Sequence, residues 1–175
     1  MPLKLLKVPR IQFLFDASKL IEEQQKEKKW DKTLIQNIFE HFCVEMKAAP
    51  FELRKFYNYD DPNNPKIAIK NHAMDQQAVK AFACVLPYMV GFNEVELFNN
   101  QITDDVMPVL IFSFFCNPTL KRITCAYNYM RNSFTRTLSK MVSLQPEKLT
   151  ELNCMGSITH ADHIDPVIRI LPESK

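Results

Sequence analysis

Apolar residues along this chain fall into two patterns that meet near residue 63. From Asp31 onward, Leu34, Ile35, Ile38, Phe39, Phe42, Cys43 and Met46 recur at steps of three and four, so they share one face of a helix. Asp31 can cap that helix by accepting a backbone N–H bond, and Pro50 stands just past its end. The preceding KLIEEQQKEKKW stretch is a polar helix or solvated connector, and a second short helical reading covers Glu52 to Tyr57. The segment YDDPNNP at 59–65 is dense in turn formers and breaks the pattern.

Beyond the break the chain repeats. NPKIAIKNHAM from Asn64, FNEVELFNNQI from Phe92, LKRITCAYNYM from Leu120 and LTELNCMGSIT from Leu149 superpose, with starts 28, 28 and 29 residues apart. Each follows LxxLxLxxNxL with apolar substitutes. The fourth position reads Ile67, Val95, Ile123, Leu152; the sixth Ile69, Leu97, Cys125, Cys154; the ninth His72, Asn100, Asn128, Ser157. The second half of each unit repeats as well: Ala78, Val106 and Phe134, then Phe82, Leu110 and Leu138, then Leu86, Phe114 and Val142. The fourfold spacing inside each unit marks one helix face. Each unit therefore reads strand, turn, helix. Neither strand nor helix can bury its apolar face alone, so stacked units would place a parallel sheet on one side, helices on the other and a core between.

These segments, with the junction NPTLKRI at 117–123, resemble leucine-rich repeats of the ribonuclease-inhibitor-like subfamily over residues 64–175. The resemblance implies an α/β solenoid of about four units, starting near 64, 92, 120 and 149, preceded by a helical N-terminal segment and cap over 1–63. The cap would lay Leu34, Ile38, Phe42 and Met46 over the first unit. The resemblance also implies that Asn100 and Asn128 are buried and bonded to backbone, while Asn99, one place earlier, tolerates replacement. His72 and Ser157 depart from the Asn column, and Ile158 before Thr159 allows a slip of one in the fourth unit. Terminal repeats often degenerate in this way.

Composition narrows the function classes. Lys+Arg 22 against Asp+Glu 20 leaves a net charge of +2, with no bulk electrostatic drive toward nucleic acid or anionic membrane. With only Gly91 and Gly156, neither a Gly-rich phosphate loop nor a nucleophile elbow can be written. Five cysteines without a CxxC fit free thiols, with those at 125 and 154 buried, in a reducing intracellular compartment, cytoplasmic or cytoskeletal. The basic start MPLKLLKVPRIQFLF leaves a mitochondrial leader as the alternative, against which Pro9 and the lack of Ser before Ser18 argue. No apolar run approaches the ~18 residues of a membrane span.

Most candidate chemistry has a packing explanation. His160 and His163 have metal-ligand spacing, but His163 falls in a buried helix column, and no metal or other cofactor is expected. Asp104 and Asp105 sit where the second repeat helix should start and suit its dipole. The mixed charges of Lys26 to Lys32 read as a solvated face, in which Trp30 either packs back or meets a partner.

The face turned away from the core carries Lys66, Glu94, Arg122 and Glu151 at the third position, an alternating lateral charge ladder. At the seventh it carries Lys70, Phe98, Ala126 and Met155, with Tyr127 following; the apolar members are expected to face solvent, unless the N-terminal segment covers them. Phe98, Tyr127, Met155, Lys70 and Glu96 are the candidate partner-binding residues. The reading of function is a non-catalytic protein–protein interaction module, a small structural subunit of a larger assembly, with no nucleic acid or small-molecule ligand. The alternative is a regulator of a GTPase or other enzyme acting through an exposed arginine, Arg122 or Arg131. The last strand, with Leu152 and Cys154, would form an edge, and Val167, Ile168, Ile170 and Leu171 lie past it, so a partner, a second copy or further downstream sequence is expected to cover that end, the partner being the preferred reading.

Overall fold

Period-two alternation and helical spacing alternate along the chain, and the elements follow them. A computed structural model describes residues 32–157. The readings made for Asp31, for Trp30 and the charged run before it, for the basic start, and for everything after Ser157 fall outside the described residues. These last include the His160/His163 pair, the slip at Ile158, and Val167, Ile168, Ile170 and Leu171.

Helix α1 runs Lys32–Met46 and ends before Pro50. A 3-10 turn at Leu53–Phe56 leads into strand β1, Tyr57–Asn58. Then come β2 (Lys66–Lys70), α2 (Gln76–Val85), β3 (Glu94–Phe98), α3 (Met107–Cys116), β4 (Arg122–Thr124), α4 (Asn132–Leu144) and β5 (Glu151–Asn153). The chain is α/β, with one mixed sheet in the order β1-β2-β3-β4-β5. β2 to β5 are parallel, each joined to the next by a segment containing a helix, while β1 pairs with β2 antiparallel. That hairpin strand is absent from the repeat pattern. It arises because the turn at 59–65 folds Tyr57 back opposite Ile67.

The strand register matches the repeat offsets. Ile67 faces Val95, Val95 faces Ile123, and Ile123 faces Leu152. The inward residues Ile67, Ile69, Val95, Leu97, Ile123 and Cys125 are buried, together with the helix columns headed by Ala78, Val106 and Phe134. Fully burying a residue such as Phe82 or Phe114 contributes about 1.5–3 kcal/mol. Pro108 is tolerated because it sits in the first turn of α3, where its missing N–H has no intrahelical partner to lose. Helix α1 packs against α2 and adds Ile35, Ile38, Phe39, Phe42 and Cys43 to the same core. Gln36 ties α1 to the following turn, its Oε1 accepting from the Leu53 N–H at 2.8 Å and its Nε2 donating to the Phe51 carbonyl at 3.0 Å.

Where each strand leaves the sheet, backbone polar groups are carried into the core and need partners. The ninth-position side chains supply them. Asn100 Nδ2 donates to the Ile69 carbonyl and its Oδ1 accepts from the His72 N–H. Asn128 Nδ2 donates to the Leu97 carbonyl at 2.7 Å, and its Oδ1 accepts from the Asn100 and Ile102 N–H groups. Ser157, which breaks the Asn pattern, does the same job: its hydroxyl donates to the Cys125 carbonyl at 2.6 Å and accepts from the Asn128 N–H at 2.7 Å. His72, at the other end, instead stacks edgewise on Phe51 and Phe56, with ring centroids 4.7 and 5.0 Å away.

The eighth position has its own constraint. Asn71, Asn99, Tyr127 and Gly156 all have left-handed backbone, with φ of 54, 51, 55 and 66°. Asn and Gly accept that region readily; other residues do so at a cost. Asn99 is exposed, as expected, but its left-handed φ means that replacement by Ala is not free.

A further exchange of residue types occurs at the unit junctions. Asn117 Nδ2 satisfies the carbonyls of Leu86 and Met89 past the end of α2. At the end of α3, the Lys148 ammonium takes that place by donating to the Asn117 carbonyl, a favourable position for a cation at a helix C-terminus.

Asn128→Ala should destabilise the protein by roughly 1–3 kcal/mol in urea unfolding, because buried backbone groups lose their partner. Asn99→Gly, which keeps the left-handed backbone, should stay within about 0.5 kcal/mol of the parent. Equal losses at the two positions would contradict the ladder.

Candidate functional site

The sheet face opposite the helices is built from the odd strand positions, and its residues group by chemistry. The third-position residues stand side by side in register: Lys66 beside Glu94, Glu94 beside Arg122, Arg122 beside Glu151. Arg122 pairs with its lateral neighbour Glu94 at 3.2 Å and its guanidinium donates to Asn64 Oδ1, whereas its Nε lies 4.0 Å from Glu151, too far for a hydrogen bond. Lys66 does not bond to its lateral neighbour. Its ammonium crosses diagonally to Glu96 at 3.0 Å, and Lys70 meets the same carboxylate at 2.8 Å. Long flexible lysines reach the fifth position as easily as the third, and Glu96 there can accept from both. Partial burial pushes the Glu96 carboxyl up, and the bonds from Lys70 and Lys66 outweigh it, leaving it below the usual value. The hydrogen bond to Glu96 holds Lys66 above its own.

The apolar part of the face lies at the end of the strands. Phe98 is half-buried, Tyr127 is 46% exposed and Met155 is 59% exposed. The rings of Phe98 and Tyr127 meet edge to face, with centroids 5.1 Å apart. Tyr129, 62% exposed and bridged to Thr103 past the strand end, is a further exposed aromatic not singled out from the sequence. Its signal was the alternation of Ala126-Tyr127-Asn128-Tyr129, in which the first and third are buried and the two tyrosines exposed. Ala126, expected to face solvent, is buried. Its methyl is too small to rise above its column neighbours Phe98 and Met155, which are half-buried and exposed. Gly156 fits beneath Tyr127: a Cβ at Gly156 would stand 2.7 Å from the tyrosine ring.

The other candidates are structural. Asp104 does not serve the helix that follows it. Its carboxylate accepts from the N–H groups of Arg131, Ser133 and Phe134 at 2.7, 2.9 and 3.0 Å, and so caps α4, one unit further along. The reading of Asp104 as an acid for its own helix's dipole is corrected accordingly; the helix assigned that role, α3, starts only at Met107. Cys43, Cys84, Cys116, Cys125 and Cys154 are free thiols. Cys125 is buried, and burial raises its thiol well above the ordinary value; Cys154 is only partly buried, and burial still pushes it to about 12. The lesser burial follows from its place beside β5, which pairs on one side only among the described residues. Lys148, buried over the Phe114 ring, is lowered to about 8 by desolvation and by Lys121. It lines a shallow cleft of about 320 Å³ with Lys121, Gln145, Pro146 and Glu147.

Arg131 is exposed. No cluster of three His, Cys, Asp or Glu side chains suited to a metal occurs among the described residues. No helix among them is long and apolar enough to cross a membrane. No family model matches the chain, and no curated protein matches it.

Asp104 carries a pH dependence. Partial burial raises its carboxyl, the three backbone N–H bonds more than compensate, and the folded value lies below the unfolded one. Its stabilisation is therefore complete above the unfolded carboxylate range, near pH 4, and is lost as pH falls through the folded value. Asp104→Ala should cost about 0.5–2 kcal/mol at pH 7, because the N–H groups at the start of α4 lose their acceptor. Its deficit relative to the parent should shrink on acidification from pH 5 to pH 2, followed by thermal unfolding. A deficit independent of pH would contradict this role.

Proposed function

We propose that this chain is a leucine-rich-repeat solenoid of the ribonuclease-inhibitor-like kind that works as a non-catalytic protein–protein interaction module, a subunit of a larger assembly. Support for the solenoid reading comes from the shared register of four strands at the repeat offsets and from the ninth-position ladder. The binding surface is the open sheet face, with Phe98, Tyr127 and Met155 as its apolar centre and Lys70 and Glu96 at its margin.

Tyr127 is the observation that carries the functional reading. It occupies a position whose counterparts are Asn, Asn and Gly, residues at ease with left-handed backbone. A bulky residue there costs on the order of 1–2 kcal/mol, and here it also leaves an aromatic ring half in water. Structure alone would favour Asn or Gly at this site. Strain retained at an exposed aromatic is what a recognition residue would require.

Tyr127→Asn should hold or raise the thermal midpoint, since relief of backbone strain offsets the lost ring contact. The same variant should lose at least tenfold in affinity for the partner captured by the parent chain in quantitative pull-down. A variant that melts earlier and still binds normally would make Tyr127 a packing residue and remove the basis for this reading.

A further inference from the structure

The helix side of the molecule carries an apolar stripe that the repeat does not require. Helix α3, MPVLIFSFFC, has no charged residue. A helix that is apolar all round is ordinarily buried all round. Here Met107, Leu110, Ile111 and Phe114 turn into the core, while Val109, Phe112 and Cys116, at steps of three and four, share the outer face. Val109 and Phe112 are 42% and 57% exposed, and Cys116 is exposed beside them, so the stripe is continuous. Packing within the chain does not call for an aromatic there: the repeat counterparts of Phe112 are Cys84 on α2 and Lys140 on α4. Leu144, 66% exposed at the end of α4, stands at the repeat position of Cys116.

Helix α3 packs against both α2 and α4, and the charge on those two helices is of one sign. Lys80 on α2 is half-buried, and Arg136 and Lys140 on α4 are exposed. None of the three pairs with a carboxylate among the described residues, and α2, α3 and α4 contain no Asp or Glu. We infer that this helix face is a second docking surface, separate from the open sheet face, for an amphipathic helix of a partner protein, its apolar side seated on Val109 and Phe112 and its flanks acidic. Charge complementarity selects that occupant. A second copy would set bases against bases. A flat anionic membrane would also meet Asp75, Asp105 and Glu147, which stand outside the helices at their ends. A helix laid along α3 meets the apolar stripe and the basic flanks alone. The stripe runs about two turns, ~10 Å at ~1.5 Å per residue, and the ridges of a partner helix can pack into the grooves beside it. Acidic flanks would steer and select, while the apolar anchor would hold.

The test uses a displayed library of helical segments about four turns long, with apolar residues fixed at i, i+3, i+4 and i+7 and with Glu, Lys, Gln or Ser allowed at the flanks. It is selected on the full chain and counter-selected on Phe112→Ser, an exposed site at which the variant should keep the parent's thermal midpoint. Enrichment of Glu at the flanks is the expected result. Synthetic peptides of that form should bind Phe112→Ser about tenfold more weakly than the parent. Their binding should also weaken in 1 M salt, where the screening length falls to ~3 Å. On the double variant Arg136→Glu, Lys140→Glu the same selection should return Lys at the flanks. Tyr127→Asn should bind the peptides as the parent does; a loss there would move the site to the open face and overturn a second surface. Phe112-dependent helices with no flank preference would overturn the acidic partner, and recovery of no Phe112-dependent helix would overturn the surface. Self-association that needs Phe112, by light scattering, would replace the partner by a second copy. Sedimentation with phosphatidylserine vesicles that needs Phe112 would replace it by a membrane.

Discussion

Turning a chain out of a parallel sheet and back into the next helix strands backbone N–H and C=O groups where water cannot reach them, and one side chain per unit answers for them. Asn100, Asn128 and Ser157 each bond a carbonyl of the preceding strand and an N–H of the preceding turn. The rest of the architecture follows from that bond. It fixes the depth at which each strand ends, and so sets the register that stacks Ile67, Val95, Ile123 and Leu152. The residue just before it sits in left-handed backbone in every unit, the first included, where His72 makes no such bond, and the eighth side chain is turned outward.

The open face takes its character from that left-handed turn. Because the eighth position turns outward, an aromatic placed there cannot hide. Tyr127 is held over Gly156 and against Phe98, and its ring is offered at the rim of the sheet. Charge on the neighbouring columns is bound into two clusters, Lys66 and Lys70 sharing Glu96, and Arg122 paired with Glu94. A face organised in this way suits recognition of another chain, and the buried thiols and the capping role of Asp104 show how chemically suggestive residues on the other side are taken up by packing and helix ends.

Much of this was legible in the sequence because spacing carries it. Twenty-eight-residue offsets, the α1 face and the inward columns follow from where apolar residues can be buried together. Three features were not legible. The antiparallel strand at Tyr57–Asn58 is only two residues long, too short for a period to register. Ser157 holds the place of an Asn because a hydroxyl can both donate and accept, an equivalence of geometry that residue type conceals. Asp104 serves a helix of the next unit, and Lys66 a carboxylate two positions along the adjoining strand; both choices depend on side-chain reach across the sheet. In the candidate site, Phe98, Tyr127 and Met155 could be named from column position, whereas the strain at Tyr127 and the burial of Ala126 required backbone angles and neighbours.

Native-state hydrogen exchange at single-residue resolution tests the central claim, that the side-chain ladder binds the units into one cooperative structure. The backbone amides of Asn100, Ile102 and Asn128, whose acceptors are ladder side chains, should exchange only through global unfolding, with free energies equal to that from denaturant melts. Exchange of these amides through local openings well below the global value would mean that the side chains merely decorate turns held by other forces.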